Sequence, residues 1–418
     1  MNNMQKQYEE ARKQYQDVGV DTDKALEKLG KIPISIHCWQ GDDVTGFEYS
    51  DIALGGGLLT TGNFKGKPRN LLQLRQDIEK AFTLIPGPKK INLHPIYGDF
   101  KGKKVDRDQI GPEHFESWVD WAQKNNAGID FNPTTFAHKK ADSGYTISDK
   151  DKKIRNFWIE HARRCREISN YFGSRLGKTC IYNIWVQDGA KDTTLSKYEH
   201  RMIMKEALDE IFSEKYPESN VLDALESKLF GLGSESFTVG SLDFYLAYAA
   251  QNGKLITFDT GHFHPTELVS DKISAVLPFL KGIMLHLSRG IRWDSDHVTI
   301  MSDEVIEIMK EIVRAGATGR VYIGTDFFDS SINRIGAWAI GARAVIKALL
   351  VALLEPASVI KKYEDEGLLF ARLGMLEDSK TMPFGAVWNY HCLASGVPAD
   401  AAWIGEVLKY EAEVLDER

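Results

Sequence analysis

Two short apolar runs in the second half of the chain end in side chains that bind hard metal ions. The run Leu255–Phe258 is followed by Asp259 and His262, and the run Gly282–Leu287 contains His286. Carboxylate and imidazole ligands without thiolates favour Mn²⁺, Mg²⁺ or Co²⁺ over structural zinc. These residue types and spacings therefore indicate metal-assisted chemistry at the ends of two neighbouring strands.

A pair of aspartates follows the second run. Asp294 and Asp296 are separated by one residue, which on an extended segment puts both carboxylates on the same side. Between the two runs, Thr266–Leu280 has polar residues near its start and apolar residues at helical spacing after them. A strand–helix–strand unit with polar ligands at the carboxyl ends of its strands is typical of active sites in parallel α/β folds.

Further candidate ligands end two other predicted strands. Glu226 ends the fifth and Asp326 ends the eighth. Lys228 lies on the same side as Glu226 and could reach a substrate oxygen, although a surface ion pair explains this spacing equally well. Five carboxylates facing one mouth repel each other, and two divalent ions would bring the charge close to balance. The predicted metal ligands are Glu226, Asp259, His262, His286, Asp294, Asp296 and Asp326.

Eight segments of strand length alternate with helical patterns and position these ligands. They are Pro33–Trp39, Lys89–Tyr97, Gly128–Thr134, Lys178–Gly189, Val221–Glu226, Leu255–Phe258, Gly282–Leu287 and Arg320–Asp326. Closing eight parallel strands produces an α/β fold, the (β/α)8 TIM barrel, with its active site at the carboxyl-terminal rim.

Helical patterns fill the intervals between these strands. The predicted helices are Leu71–Leu84, Pro112–Asn125, Ile154–Phe172, Tyr198–Tyr216, Ser241–Gln251, Thr266–Leu280 and Ser302–Val313. Ser302 is a good N-cap for the last of them, and acidic residues occupy its first turn. A glycine-rich loop is expected around Gly55–Gly57. The predicted division is an N-terminal helical segment (1–32), the barrel (33–334) and a C-terminal helical extension for assembly (335–418).

Three side chains at other strand ends are candidate sugar contacts. Trp39, His94 and Trp185 could form an apolar wall and a polar contact for a sugar. Aromatic and imidazole side chains also pack in protein cores, so core packing is an equal alternative for each of them.

Composition and charge argue against several classes of protein. The net charge of −7 argues against a general nucleic-acid binder. Four scattered cysteines favour neither a zinc knuckle nor a disulfide framework. The N-terminus lacks the apolar core of a signal peptide, and the apolar stretch Ile335–Leu354 contains Arg343 and Lys347, which favours a buried or interface helix over a membrane span. A cytoplasmic protein is expected.

Several long motifs carry a resemblance to a known family. The segments HCWQGDD, RNLLQLRQDIEKAFTLIPGPKKINLH, ESKLFGLGSESFTVGS, DTGHFHPTE, SDKISA, SRGIRWDSDHV, DFFDSSINRIGAW and LLEP resemble those of bacterial L-rhamnose isomerases. The resemblance runs from about residue 30 to the end. More distantly, the chain is similar to the xylose isomerase superfamily, which shares the Glu-x-Lys pair and a two-metal barrel mouth.

The resemblance implies an aldose–ketose isomerase that converts L-rhamnose to L-rhamnulose in rhamnose catabolism, as a homotetramer. It implies two divalent sites, with Mn²⁺ as the expected ion, Co²⁺ or Mg²⁺ as substitutes and Zn²⁺ as an option at the structural site. The implied structural site has four ligands: Glu226, Asp259, His286 and Asp326. Asp329 competes with Asp326 for the fourth position, or acts as a substrate contact.

The implied catalytic site is held by His262, Asp294 and Asp296. His262, Asp294 and Lys228 are the expected catalytic residues, with Lys228 also contacting the sugar. The expected reaction is a metal-assisted hydride shift between C2 and C1, and an enediol route with a carboxylate base is its chemical rival.

Other functions fit the same barrel mouth. An aldose isomerase of different specificity, a ketose epimerase or a phosphodiesterase would use similar ligands. A phosphate-handling enzyme should carry more cationic residues near the mouth than Lys228 and Arg289. A sugar-binding protein without catalysis is a third alternative, and an export signal or degraded ligands would favour it.

Overall fold

The computed structural model describes residues 3–48, 62–233, 235–291 and 293–418, with the side chain of Trp293 left aside. The predicted loop around Gly55–Gly57 lies outside the described residues. All candidate ligands and candidate sugar contacts lie inside them.

Within these ranges, eight parallel strands close into one barrel. Neighbouring strands along the chain pair with each other, and the last strand pairs with the first. The strands are β1 (Ile34–His37), β2 (Lys89–Leu93), β3 (Gly128–Phe131), β4 (Cys180–Trp185), β5 (Val221–Glu226), β6 (Leu255–Asp259), β7 (Ile283–Leu287) and β8 (Val321–Thr325). The predicted (β/α)8 barrel is confirmed.

Burial explains why the strands are nearly continuous apolar runs. Every residue of β1, β3, β6 and β7 is buried, because helices cover the outside of the barrel and side chains fill its interior. The polar residues of these strands are therefore buried as well, although polar side chains are usually exposed.

Strand register brings several of these buried polar residues together. Asp259 is paired with His286 across β6 and β7. Glu226 is paired with Trp185 on one side and with Thr257 on the other. Because all the strands are parallel, these residues meet at the carboxyl end of the barrel.

The helices follow the predicted pattern with shifted ends. They are α1 (Asn3–Asp17), α2 (Thr22–Leu29), α3 (Leu71–Phe82), α4 (Glu116–Lys124), α5 (Lys152–Leu176), α6 (Lys197–Ile211), α7 (Leu242–Asn252), α8 (Val269–Val276), α9 (Asp303–Arg314), α10 (Arg334–Leu353), α11 (Ala357–Asp365), α12 (Leu369–Ser379), α13 (Phe384–Ala394) and α14 (Ala402–Tyr410). Ser302 caps α9 as predicted, since its hydroxyl accepts a hydrogen bond from the amide of Val305.

Helix α10 completes the helical layer of the barrel. It packs against α9, α3 and β1, which is the place of the helix after the eighth strand. By length and composition α10 could cross a membrane, but 83% of its most apolar window is buried inside the protein. The prediction of a buried helix here is confirmed. The division between residues 334 and 335 stays a prediction, and the first helix after it packs on the barrel.

The two aspartates after β7 lie on a small antiparallel hairpin. Arg289–Ile291 pairs with Trp293–His297. Asp296 has a φ of +47°, in the left-handed region that non-glycine residues seldom occupy. Its carbonyl accepts a hydrogen bond from the amide of Phe328. Asp294 and Asp296 therefore lie on an extended arm of a hairpin, as the spacing predicted, with a local left-handed residue at Asp296.

Candidate active site

Four side chains from the carboxyl ends of β5 to β8 form a buried acidic cluster. One ligand atom from each of them lies within 4.8 Å of the others: Glu226, Asp259, His286 and Asp326. The Nδ1 atom of His286 is 3.0 Å from Oε2 of Glu226 and 3.2 Å from Oδ2 of Asp326. We call this set the four-residue cluster.

Hydrogen bonds from the surrounding protein orient the three carboxylates. Asn183 donates to Oε2 of Glu226 at 2.5 Å. The amide of Gly261 donates to Oδ1 of Asp259 at 2.7 Å, and the indole of Trp39 donates to Oδ1 of Asp326 at 2.8 Å. Each carboxylate is thereby held in place before any ion binds.

Other donor atoms of the cluster have no hydrogen-bond partner among the described residues. Oδ2 of Asp259 and Nε2 of His286 are buried in this state, whereas Nδ1 of His286 faces the carboxylates of Glu226 and Asp326. Leaving a buried polar atom without a partner costs free energy, so proteins rarely keep such atoms without a reason.

The pKa values show that positive charge stabilises the cluster. Burial alone would lower the pKa of His286, but Glu226 and Asp326 raise it well above its usual range. Burial would raise the pKa of Glu226, but His286 and His262 lower it overall. Burial and the neighbouring carboxylates together raise the pKa of Asp259 to about 7.

Four further residues lie beside the cluster, and three of them form a second group of ligand types. Nε2 of His262 is 3.5 Å from Oδ2 of Asp294 and 3.8 Å from Oδ2 of Asp259. The ammonium of Lys228 is 2.8 Å from the same Oδ2 of Asp294. Asp296 lines the cavity with Lys228 and His262. The structure thus brings His262, Asp294 and Asp296 to one side of the mouth, more openly arranged than the four-residue cluster.

Lys228 carries its charge in this setting. Its burial would lower the pKa of the ammonium, but Asp294 and Asp296 raise it overall. Burial and the neighbouring carboxylate of Asp294 raise the pKa of Asp296 well above its usual range. Lys228 is therefore a cation held at the wall of an acidic cavity.

The donor set fits divalent ions. The four-residue cluster offers three carboxylates and one imidazole, and the second group offers two carboxylates and one imidazole. Hard oxygen donors with few imidazoles suit Mn²⁺, Co²⁺ or Mg²⁺. A cation could neutralise and coordinate ligand atoms that lie within 4.8 Å of one another.

A cavity of about 550 Å³, including open solvent at its mouth, adjoins the cluster. All three predicted sugar contacts line it, together with apolar residues that sequence reasoning did not single out. The lining residues are Trp39, Val44, His94, Asn132, Pro133, Phe136, Trp185, Glu226, Lys228, His262, Asp296, Asp326 and Phe328. A mainly apolar wall opposite a polar floor is the usual form of a small-molecule site.

His94 is the polar member of that wall. Its Nδ1 lies 2.9 Å from the hydroxyl of Thr134, and its ring packs edge-on against Trp39 at 4.8 Å between centroids. Burial lowers the pKa of His94 to about 4, so the imidazole is neutral near pH 7.

Comparison with known proteins identifies the family of the chain. The family model described as L-rhamnose isomerase (RhaA) matches residues 2–418. The L-rhamnose isomerase of Bacteroides thetaiotaomicron is 51% identical over 99% of this chain and 99% of its own length. The corresponding protein of Listeria monocytogenes is 52% identical over 99% of this chain and 98% of its own.

The chain belongs to the L-rhamnose isomerase family.

Membership confirms the resemblance seen in the sequence and the enzyme class, an aldose–ketose isomerase. Among solved structures, an L-ribulose 3-epimerase aligns with a TM-score of 0.47 at 12% identity, covering 77% of this chain and 95% of that chain. A D-allulose 3-epimerase from Methylomonas aligns with a TM-score of 0.45 at 14% identity, covering 76% and 96%.

In this member of the L-rhamnose isomerase family, the structure separates the two aspartates that competed for one position. Asp326 joins the four-residue cluster. The carboxylate of Asp329 instead accepts hydrogen bonds from the amide and hydroxyl of Ser331, and its backbone is bonded to Gln40. Asp329 is buried next to the site and holds a turn, so a substrate contact by Asp329 stays a prediction.

Sequence reasoning overlooked Asn183. Its amide donates to Glu226, and its oxygen accepts from the hydroxyl of Thr257 at 2.6 Å. A signal was present, because Asn183 lies two residues before Trp185 in a predicted strand and so points to the same side. Phe136 and Phe328 follow strand ends and carry no such signal, because loop backbones place them in the cavity.

Proposed function

We propose that this chain interconverts L-rhamnose and L-rhamnulose as a step in the breakdown of rhamnose. Support comes from the family match over residues 2–418 and from relatives named L-rhamnose isomerase along their whole lengths. The observation that carries the proposal is the four-residue cluster, with buried, unsatisfied atoms on Asp259 and His286, beside a cavity lined by Trp39, His94 and Trp185.

Two divalent ions are part of the proposal, with Mn²⁺ as the expected ion and Co²⁺ or Mg²⁺ as substitutes. The four-residue cluster would hold the structural ion, for which Zn²⁺ is also suitable, and His262, Asp294 and Asp296 would hold the catalytic one. Bound ions would supply Lewis acidity toward the oxygens of the sugar.

The chain's own residues bind and orient the opened sugar. The ammonium of Lys228 stabilises negative charge that develops on a sugar oxygen. Neutral His94, fixed by Thr134, hydrogen-bonds a hydroxyl, while Trp39 and Trp185 cover apolar carbon and exclude water. Asn183 and Trp39 hold the carboxylates of Glu226 and Asp326, so little reorganisation is needed during reaction.

The proposed reaction is a hydride shift inside the sugar. The C2–H bond breaks and a C1–H bond forms as hydrogen moves with its electron pair, while the proton on O2 passes to O1. The enediol route would need a base above the carbon. L-rhamnose carrying deuterium at C2 separates the two, since a shift retains the label at C1 and an enediol exchanges it with solvent.

The first experiment measures L-rhamnulose formation after chelation and again after Mn²⁺ is restored. Wild type and Asp294→Asn are compared, with the exposed Glu377→Gln as a surface control. Metal-dependent product that is lost in Asp294→Asn and kept in Glu377→Gln supports the proposal. Metal-dependent turnover of a different aldose only would reject L-rhamnose. No turnover of any aldose by metal-loaded protein would reject the isomerase.

We also propose a cytoplasmic homotetramer, with no nucleic-acid or membrane partner. Support comes from apolar side chains on α12 that are open to solvent in one copy, including Phe370 at 91% exposure. Large exposed apolar groups close together mark protein interfaces. Light scattering should give the mass of four chains. Phe370→Asp should lower it, whereas Leu72→Asp, equally apolar and exposed on α3, should leave it unchanged.

A further inference from the structure

Two loops contribute side chains to the wall of the cavity. The β1 loop (residues 38–48) contributes Trp39 and Val44, and the β3 loop (residues 132–138) contributes Phe136. Neither loop has strand pairing to hold it at these positions. Something else must fix their separation.

Arg107 bridges the two loops. Its Nη1 donates to the carbonyl oxygens of Thr134 and Phe136 at 2.9 and 2.5 Å, and its Nη2 donates to the carbonyl of Ala137 at 3.3 Å. The same guanidinium donates through Nε and Nη2 to the carboxylate of Glu48, at 3.0 to 3.3 Å. Both side chains are buried, with exposures of 1% and 6%.

The shape of the β3 loop depends on this guanidinium. Three of its carbonyl oxygens converge on one side chain, and Ala137 has a left-handed φ of +54°. A non-glycine residue in that region is strained, so surrounding contacts must hold it there. Only a planar cation with several donors can satisfy these carbonyls and a carboxylate together.

A second contact links the Arg107 segment to the same loop. Nδ1 of His161 bonds to the backbone carbonyl of Arg107 at 2.9 Å, and the amide of Thr134 donates to Nε2 of His161 at 3.1 Å. The hydroxyl of Thr134 is the partner of His94. The contacts of Arg107 therefore lead directly to two cavity residues, Phe136 and His94.

We propose that Arg107 is a positioning residue for the sugar: paired with Glu48, it holds the β1 and β3 loops at the separation that the substrate requires. This inference rests on the proposed function. The ligands of the four-residue cluster come from β5 to β8, on other strands, so losing Arg107 alters the sugar wall first. The β1 loop touches the cluster through the indole of Trp39, which donates to Asp326 but is not a ligand, so Mn²⁺ affinity should change much less than KM.

The contacts also say which kinetic constant changes. A wall that contacts the sugar before and during reaction contributes to binding in both states, and its loss raises KM more than it lowers kcat. Misplacement by about 1 Å can cost about 100-fold in rate constants. We therefore expect kcat/KM for L-rhamnose to fall about 10- to 100-fold, mostly through KM.

The test uses two variants of the full-length, metal-loaded protein. Arg107→Lys keeps the charge beside Glu48 but cannot span the three carbonyls. The double variant Arg107→Met/Glu48→Gln removes both charges, so that no unpaired carboxylate is left buried to unfold the protein. For each, KM, kcat, the Mn²⁺ dissociation constant and Tm are measured.

Arg166→Lys is the matched control. Arg166 is equally buried, pairs with the carboxylate of Asp223, donates to two backbone carbonyls and faces an aromatic ring, but lies far from the cavity wall. A purely structural role would give the same result at both arginines, namely a lower Tm with unchanged KM.

A raised KM in both Arg107 variants, with a much smaller change in Mn²⁺ affinity and with KM unchanged in Arg166→Lys, supports the proposal. Wild-type KM in the folded double variant overturns it, as does an equal rise in KM for Arg166→Lys. If wild type fails to turn over L-rhamnose, crystal structures still decide the matter. A β3 loop that moves away from the β1 loop in the double variant supports the bridge, and an unmoved loop overturns it.

Discussion

Near the amino ends of the barrel strands, Arg166 and Lys254 both contact the carboxylate of Asp223, whereas at the carboxyl ends three carboxylates crowd around His286. Both places are buried and both are rich in charge. They differ in whether the protein supplies its own counter-charges.

The amino-end network is complete. Both oxygens of Asp223 accept hydrogen bonds, and Arg166 uses its remaining donors on backbone carbonyls. Lys90 likewise donates to Asp130 and to the carbonyl of Thr179, and the amide of Ile181 donates to the same aspartate. Such a network stabilises a fold and leaves no atom for a ligand.

The carboxyl-end cluster lacks such a full set of partners. Asp259 and His286 keep buried atoms without partners, and the carboxylates raise the pKa values of both neighbouring histidines, His262 to about 9. Without metal, protons on the histidines supply part of the missing positive charge. Buried charge thus marks a functional site when it is unbalanced and unsatisfied, and structure when it is paired.

The largest expected effect is that of Asp259→Asn. The amide keeps the hydrogen bond from Gly261 but removes a ligand, so Mn²⁺ affinity and isomerase activity should fall by more than the about 10- to 100-fold typical of outer-shell losses. Metal-free stability should not decrease, because burial already disfavours this carboxylate in its charged form. Calorimetric titration, kinetics and urea unfolding measure the three quantities. Retained metal affinity would contradict the ligand role.

Asp223→Asn should lower the stability and leave the activity unchanged. It leaves Arg166 and Lys254 buried without their shared carboxylate, which should lower the free energy of unfolding by about 3–5 kcal/mol. The kcat and KM of the protein that remains folded should be those of wild type. Glu377→Gln, at an exposed pair, should change stability by less than about 1 kcal/mol. If Asp223→Asn were as stable as wild type, the paired charges at the amino ends of the strands would not have the stabilising role proposed here.

Asn183→Ala should produce a smaller loss at the carboxyl end. Asn183 orients Glu226 without being a ligand type itself, so its removal should weaken Mn²⁺ binding about 10- to 100-fold. Excess Mn²⁺ should restore most of kcat, which it cannot do for Asp259→Asn. Titration of activity against Mn²⁺ concentration measures this, and unchanged affinity would rule out the positioning role.

His161 tests a third case, a buried side chain that stays neutral. Burial lowers the pKa of His161 to about 3, so the unfolded chain binds a proton that the folded protein does not as pH falls below about 6.5. Its contribution to stability is present above pH 6.5 and is lost toward pH 3, by up to about 1.4 kcal/mol per pH unit. In urea unfolding between pH 7 and 5, His161→Gln should show a shallower loss than wild type. An equal slope would assign the acid sensitivity to other groups.

Much of the fold follows from local pattern. The eight strands, the Ser302 cap and the location of the ligands at strand ends could be predicted, because strand burial and helix capping depend on neighbouring residues. The motifs identified the family, and the ligand set Glu226, Asp259 and His286 follows from strand ends that parallel pairing brings together.

Tertiary structure decided what depends on loops and on distant segments. Asp326 and Asp329 are three residues apart, and only the turn held by Ser331 separates their surroundings. The left-handed backbone of Asp296 and the bridge from Arg107 to Glu48 have no periodic signal, because long-range contacts hold them. The sequence by itself determined the strands and the ligand types. The closed barrel and its loops determined which side chains meet, since those contacts join residues far apart along the chain.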